Sequence, residues 1–412
     1  MLSLFDQFKT KKKITKPIRL IELFAGYGSQ SLALKYLGVP FEHWKICEWA
    51  IPSIKAYKDT HFRQDSKDYS EGLTVEQIKE WFVDRISTDY NKPISEKQLK
   101  AMKEETARQI YNDMKATNNF GSVCLVHGDD LEITDTDKYE YILSYSFPCT
   151  DLSNAGLRKG MSRDSGTRSG TLWEVERILK ELKELPQILV MENVPEVCGS
   201  ANKEDFYEWL NELEGLGYSN YYKILNATEY KIPQNRRRCF MISLLGDEYY
   251  EFPAGSPLEL RLKDVLEAEV DEKYYLSDKA VESFIAYTER NKAKGNGFKF
   301  EPNSGGGYAN SILTRAGNRP CDNFIGELPQ RDSADDQVQL LKKFGGELCA
   351  ERRNESARDN RVGGVHLKRA DGCYLRRSEN FNRGNLEDLS RTVTTNGDVG
   401  LIEWLDAYLQ ER

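Results

Sequence analysis

The sequence predicts an α/β fold, in which a mostly parallel sheet carries helices on both faces and a smaller, loop-rich domain follows. Three observations lead there. Apolar strand-like runs alternate with helical stretches as far as Pro253. A glycine-containing turn joins the first such strand to the first helix. Beyond Pro253 the chain is richer in Gly, Arg and Asn, with Gly305-Gly306-Gly307 and Gly363-Gly364. These shifts place a first domain at 1–253, a second at 254–389 and a return segment at 390–412.

The first strand is the apolar run Ile18 to Phe24. Ala25-Gly26-Tyr27-Gly28-Ser29 turns the chain, and Leu32, Ala33, Leu34 and Leu37 give the apolar face of a helix that Gly38 stops. A second strand, Trp44 to Cys47, ends at Glu48. Residues 66–120 read as a charged, mostly helical insertion with no evident chemistry. Thr74-x-x-Gln77 and Ser95-x-x-Gln98 are capping boxes within it. Strand patterns return at Val123 to Val126, Tyr141 to Ser146, Ile188 to Met191 and Cys239 to Leu245, with helices expected over Leu172 to Leu185 and Phe206 to Leu216.

Composition narrows the function classes. The 412 residues are 39% hydrophobic and 30% charged, the balance of a globular chain rather than a disordered one. No apolar run reaches the ~18 residues of a membrane span. The N-terminus lacks a secretory pattern, so a cytoplasmic protein is expected. Eight cysteines without a Cys-x-x-Cys pair, and only four histidines, predict no metal site. A net charge of −8 argues against coating nucleic acid by bulk charge. It leaves room for a local basic stretch, Arg352, Arg353, Arg358, Arg361, Lys368, Arg369, Arg376 and Arg377, which reads equally as a solvated surface.

Two groups of residues point to chemistry. Gly26 and Gly28 allow a tight turn into a helix N-terminus, and Glu48 follows Gly28 by 20 residues, the separation expected of an acid that grips ribose hydroxyls. Trp49 beside it suits stacking on adenine, and Asp129, expected at the end of another strand in Gly128-Asp129-Asp130, suits its amino group. A structural turn without ligand and a nicotinamide site remain alternatives, since the third glycine of a dinucleotide fingerprint is replaced in Ser29-Gln30-Ser31. The second group sits at two further strand ends, Phe147-Pro148-Cys149 and Glu192-Asn193-Val194, where open α/β sheets bind ligands. Farther on, Gln234, Arg236 and Arg238 share one face of an extended segment, with Asn235 and Arg237 on the other.

These segments carry a family resemblance. Phe24-Ala25-Gly26-Tyr27-Gly28-Ser29 resembles motif one of the DNA (cytosine-5)-methyltransferases. Phe147-Pro148-Cys149-Thr150-Asp151-Leu152-Ser153 resembles motif four, and Arg168-Ser169-Gly170-Thr171-Leu172-Trp173-Glu174 motif five. Glu192-Asn193-Val194 is similar to motif six and Gln234-x-Arg236-x-Arg238 to motif eight, all in order over Ile18 to Leu245. The resemblance implies a Rossmann-like, S-adenosylmethionine-dependent methyltransferase domain and a target-recognition domain acting on double-stranded DNA. It implies that Phe24, Gly26, Gly28, Ser29, Glu48, Trp49, Asp129, Pro148 and Leu172 line the cofactor site. Cys149 is then the nucleophile for carbon 6 of a flipped-out cytosine, and Glu192 holds ring nitrogen 3 and the exocyclic amine. Arg238 holds the carbon-2 oxygen, Arg236 supports the pocket, and Asn193 orders the Cys149 loop. Ser153, Arg158 and Gln234 are expected on the DNA side.

Two departures qualify the match. Thr150 stands where the family has Gln, which predicts altered loop packing rather than lost chemistry. Past Arg391 to Thr394 the family adds motifs nine and ten, which are not found before Arg412. Either a short apolar-faced helix at Leu401, Trp404, Leu405, Tyr408 and Leu409 docks in their place, or a second polypeptide supplies them, or the gene product is truncated relative to the family, or the segment is an exposed tail. The alternatives to an active DNA enzyme are a DNA-binding subunit inactive without a partner and an RNA cytosine-5 methyltransferase. A nicotinamide oxidoreductase ranks last, because it leaves Cys149, Glu192 and the arginines unexplained.

Overall fold

The computed structural model describes residues 10–152, 159–163, 165–266, 275–295, 299–303, 305–311, 319–320, 322–326 and the backbone of 375–377. They fall into two units. The first contains residues 10–226 and 237–254. The second takes 227–236 and the described residues from Gly255 to Arg377, so Gln234 and Arg236 group with it although the sequence reading placed them in the first domain.

The first unit is built on six strands: β1 (Ile18–Leu23), β2 (Phe41–Cys47), β3 (Glu140–Tyr145), β4 (Ile188–Asn193), β5 (Tyr218–Asn226) and β6 (Arg237–Leu245). Their spatial order is β2-β1-β3-β4-β6-β5. Pairings β1–β2, β1–β3 and β3–β4 are parallel, and β6 runs antiparallel to both its neighbours. The crossover helices are α1 (Ser29–Tyr36), α2 (Ile51–His61), α6 (Leu172–Glu181) and α7 (Lys203–Gly215). Alternate residues of three central strands, among them Ile21, Leu23, Leu143, Tyr145, Leu189 and Met191, pack with Val175, Ile178 and Leu179 of α6 and Trp209 and Leu213 of α7. Strands covered on both faces are buried along their length, as β3 is throughout, polar Glu140 and Ser144 included, and as β4 is apart from Glu192.

Two assignments change. Val123 to Val126 is not a strand: Val123–Leu125 is a short 3-10 helix. The apolar run is too short for periodicity to separate the two, and its Val123 and Val126 face the core from the turn instead of a ladder. The sequence reading also lacked β5. Its residues mix polar, aromatic and aliphatic types without a regular period and are mostly half-exposed, as befits an edge strand.

The insertion folds as α3 (Val75–Trp81), α4 (Glu96–Ala101) and α5 (Glu104–Ala116). Both capping boxes are formed, by Thr74 with Gln77 and by Ser95 with Gln98. It has its own apolar core, with Ile78, Phe82, Ile86, Ile110 and Met114 packed on Ile54 of α2. In the second unit, Gln234–Asn235 pairs with Ala309–Asn310, and Phe324–Gly326 pairs with Leu375–Arg377. Helix α8 (Asp278–Ala293) contributes Phe284 to an aromatic cluster with Phe300 and Phe324. Arg376 and Arg377 lie on a paired strand. The rest of the basic stretch, residues 391–394 and the helix expected at 401–409 lie outside the described residues.

Candidate active site

The cofactor side is built at the carboxyl ends of β1 and β2. Leaving β1, the chain takes positive φ at Phe24 (59°), Gly26 (57°) and Gly28 (84°). For an aromatic residue this conformation is strained, a feature that concentrates at ligand-binding turns. Gly28 has no room for a side chain, since a Cβ would lie 2.3 Å from His61 Nε2. Glu48, buried at the end of β2, accepts from Gly26 N–H (2.8 Å) and Ala50 N–H (2.6 Å). Its carboxylate thus ties the glycine turn to the neighbouring strand end. Burial pushes its carboxyl up to about 7, against the pull of those backbone donors. Trp49 is half-buried, Ser29 and Leu172 are buried, and Pro148 is half-buried. Asp129 lies in a 3-10 turn, Gly128–Leu131, rather than at a strand end. Its side chain is 84% exposed, 3.9 Å from Lys183.

Beneath the turn lies a polar network that the sequence reading missed. Glu22, buried in β1, accepts from the hydroxyls of Ser31 and Tyr57 (2.6 Å from Tyr57). His43 Nδ1 lies 3.0 Å from the Tyr57 hydroxyl. His61 Nε2 donates to the carbonyl of Tyr27 at 2.8 Å, since that oxygen can only accept. Its Nδ1 accepts from Lys35 Nζ at 3.0 Å. Burial above all, then the Lys35 charge, lowers the pKa of His43 to about 4 and that of His61 to about 3, so both rings are neutral. No local motif announces these contacts, because they join residues up to 35 positions apart.

The reacting side is built at the ends of β3 and β4. Asn193 Nδ2 donates to the carbonyl of Phe147 at 3.0 Å, and its Oδ1 accepts from Val194 N–H at 2.8 Å. Ser169 Oγ donates to the carbonyl of Pro148 at 2.6 Å. In return, buried Asp151 accepts from the N–H of Arg168 (2.9 Å) and Ser169 (3.4 Å). Cys149 N- and C-terminal neighbours are therefore pinned on both sides, and Leu152 N–H closes the turn on the Cys149 carbonyl at 3.0 Å. Cys149 itself is half-buried, as is Thr150. Glu192 ends β4, and Arg238 stands on β6 with its Nε 2.8 Å from Glu192 Oε1. That contact is an ion pair without hydrogen-bond alignment, and Oε1 is a buried acceptor with no aligned donor among the described residues. Cys239, opposite Asn193 in the ladder, shares a hydrogen bond with Cys198 that lowers the Cys198 pKa and raises its own. Gln234 and Arg236 of the second unit are buried, whereas Asn235 and the first unit's Arg237 are exposed, the alternation expected of an extended segment. Ser153 and Arg158 lie outside the described residues.

The sequence signature of C-5 cytosine-specific DNA methylases matches residues 94–361. The chain belongs to this family. The methylase is 37% identical over 292 residues to the orphan methyltransferase M.SssI of Spiroplasma monobiae, a match spanning 68% of this chain and 72% of that one. It is also 37% identical over 270 residues to the type II methyltransferase M2.ScrFI of Lactococcus lactis, covering 64% and 71% of the two chains. In fold it is similar to the Dnmt2 methyltransferase of S. pombe, with a TM-score of 0.56, 12% identity and coverage of 96% and 99%. The Entamoeba histolytica methyltransferase EhMeth is also similar, with a TM-score of 0.52 and 13% identity over 96% and 99%. The methylase transfers a methyl group to carbon 5 of cytosine in DNA, and its family uses S-adenosylmethionine. Among the described residues no helix is long and apolar enough to cross a membrane.

Proposed function

We propose that this chain binds S-adenosylmethionine at the β1–β2 strand ends and methylates flipped-out cytosines of duplex DNA through covalent addition of Cys149. The single observation that carries the reading is the pinned Cys149 turn together with the half-buried Glu192–Arg238 pair at the neighbouring strand end, whose Glu192 Oε1 is buried without an aligned donor among the described residues. A partly buried glycine turn, a buried acid and a half-buried Trp49 also suit an adenosyl group. In these terms Glu48 holds the ribose hydroxyls, while Phe24, Gly26, Gly28, Ser29, Pro148 and Leu172 shape the wall. Asp129 is the weakest member of the set, because its carboxylate points into solvent.

Carbon 5 of cytosine is a poor nucleophile, and bound S-adenosylmethionine supplies the methyl group as an electrophile. The Cys149 thiolate adds to carbon 6, which gives the ring enamine character at carbon 5. Glu192 holds ring nitrogen 3 and the exocyclic amine, and Arg238 holds the carbon-2 oxygen, so the ring accepts charge as Cys149 adds. After methylation, loss of the carbon-5 proton and departure of Cys149 restore the aromatic ring. Stacked in a duplex, carbon 6 is out of reach, so the base leaves the helix at a cost of a few kcal/mol. Arg236 supports the pocket, and Gln234, Ser153 and Arg158 serve the DNA side. Residues 254–389 form the target-recognition domain, with the basic stretch on phosphates. The bacterial sources of the relatives favour a cytoplasmic enzyme.

The test is a methylation assay on the purified chain, with labelled S-adenosylmethionine and either duplex DNA or RNA of matching sequence. Nucleoside digests should carry the label as 5-methyldeoxycytidine from DNA only. Label in RNA alone, or none with DNA, would refute the reading.

A further inference from the structure

The helical insertion offers no catalytic side chain, yet it grips the turn that carries Glu48. Asn119, only 4% exposed, pairs with the main chain of Glu48 in both senses. Its Oδ1 accepts from Glu48 N–H at 3.0 Å and its Nδ2 donates to Glu48 O at 2.9 Å. The same Oδ1 accepts from Gly121 N–H at 2.8 Å. Ser87 takes the next residue, with its N–H donating to Trp49 O at 2.7 Å and its carbonyl accepting from Ile51 N–H at 3.0 Å. Backbone bonds Ile46 N–H to Asn118 O (3.2 Å) and Phe120 N–H to Ile46 O (3.0 Å) extend the grip along the edge of β2.

Neither anchor has slack. Ser87 is fully buried and its Oγ donates to Lys92 O at 2.7 Å. At Gly121, φ is +81° and a Cβ would lie 2.4 Å from Arg85 O. Behind them stands the insertion's own core of Phe82, Ile86 and Met114. In the other direction the Glu48 carboxylate reaches Gly26 and Ala50. A continuous set of bonds therefore runs from the insertion through the Glu48 backbone to the glycine turn. Asn is suited to this place because it presents one acceptor and one donor side by side. Asp lacks the donor, and an apolar residue leaves three buried backbone groups without this side chain's bonds.

We infer that the insertion is a working part of the cofactor site and that Asn119 is a positioning residue, fixing Glu48 for the ribose hydroxyls of an adenosyl ligand. The inference rests on the assignment of Glu48 given above. Calorimetry on the full chain, with S-adenosylhomocysteine and its 2′,3′-dideoxy analogue, tests it in the wild type and in Glu48→Gln, Asn119→Ala and Asn119→Asp. The wild type should prefer the ribose ligand by about tenfold or more. Asn119→Ala should lose about tenfold for the ribose ligand and little for the dideoxy one, so the preference closes. Asn119→Asp should fall between them, and carries the comparison if the Ala variant does not fold. An equal loss for both ligands, or an undiminished preference, would overturn the role of Asn119. A preference that survives Glu48→Gln would instead remove the Glu48 assignment and the inference with it.

Discussion

Glu48 is a carboxyl whose burial outweighs three backbone donors, leaving it to titrate at about 7. Ribose hydroxyls donate best to its ionised form. Affinity for S-adenosylhomocysteine should therefore rise with pH through about 7, falling toward tenfold per unit below it. The same raised pKa has the opposite sign for folding. The native state holds a proton that the unfolded state has released, so this group's contribution to stability is lost as pH rises from 4.5 to about 7. Binding isotherms between pH 6 and 8.5 check the first statement, and Glu48→Gln should flatten the dependence. On the reacting side, the bonds from Asn193 and Ser169 fix the carbonyls of Phe147 and Pro148, two and one residues before Cys149, the proposed nucleophile. Asn193→Ala or Ser169→Ala should lower kcat by about 10- to 100-fold through misplacement of Cys149. KM for the cofactor should change little, and Ser169→Thr should restore part of the rate. Single-turnover kinetics would read this directly, and an unchanged rate would show that the turn holds itself.

At the scale of elements, the insertion behaves as a small packed body. Phe82, with no exposed surface, lies at its centre. Phe82→Ala should cost about 3–5 kcal/mol by opening a cavity. Because Ser87 and Asn119 belong to the same body, cofactor affinity should fall alongside stability, measured by denaturant unfolding and calorimetry on one preparation. The elements also mark what the sequence could and could not say. β1, its glycine turn and α1 were legible because apolar period, glycine and helix stop agree over consecutive residues. The two capping boxes were legible because each motif contains both of its partners. β5 escaped because Tyr218–Asn226 is a mixed, half-exposed edge strand, and 123–126 misled because four apolar residues fit a turn as well as a strand. That error carried Asp129 to a strand end it does not occupy. The insertion was read as inert for a different reason. Asn119 meets Glu48 across 71 residues, and nothing in either neighbourhood encodes the meeting.

At the scale of the molecule, the first unit brings together most of the residues singled out from the sequence. Glu48 and Trp49 follow β2, Phe24, Gly26 and Gly28 follow β1, Cys149 follows β3, and Glu192 and Asn193 end β4. A doubly covered parallel sheet makes this convergence almost unavoidable, since all these strands end on one side. Gln234 and Arg236 are the exception, for they group with the second unit while Arg238 stays on β6. The motif-eight segment is thus where the chain passes from one unit to the other. The proposed covalent nucleophile is Cys149. The most direct measurement incubates the purified protein with S-adenosylmethionine and duplex DNA carrying 5-fluorocytosine, then weighs the product by intact mass spectrometry. Fluorine cannot leave carbon 5 as a proton does, so the predicted result is a stable adduct of protein, DNA and one methyl group, absent in Cys149→Ala. An adduct that persists in Cys149→Ala, or methylation of ordinary DNA without any adduct on the fluorinated duplex, would contradict the account.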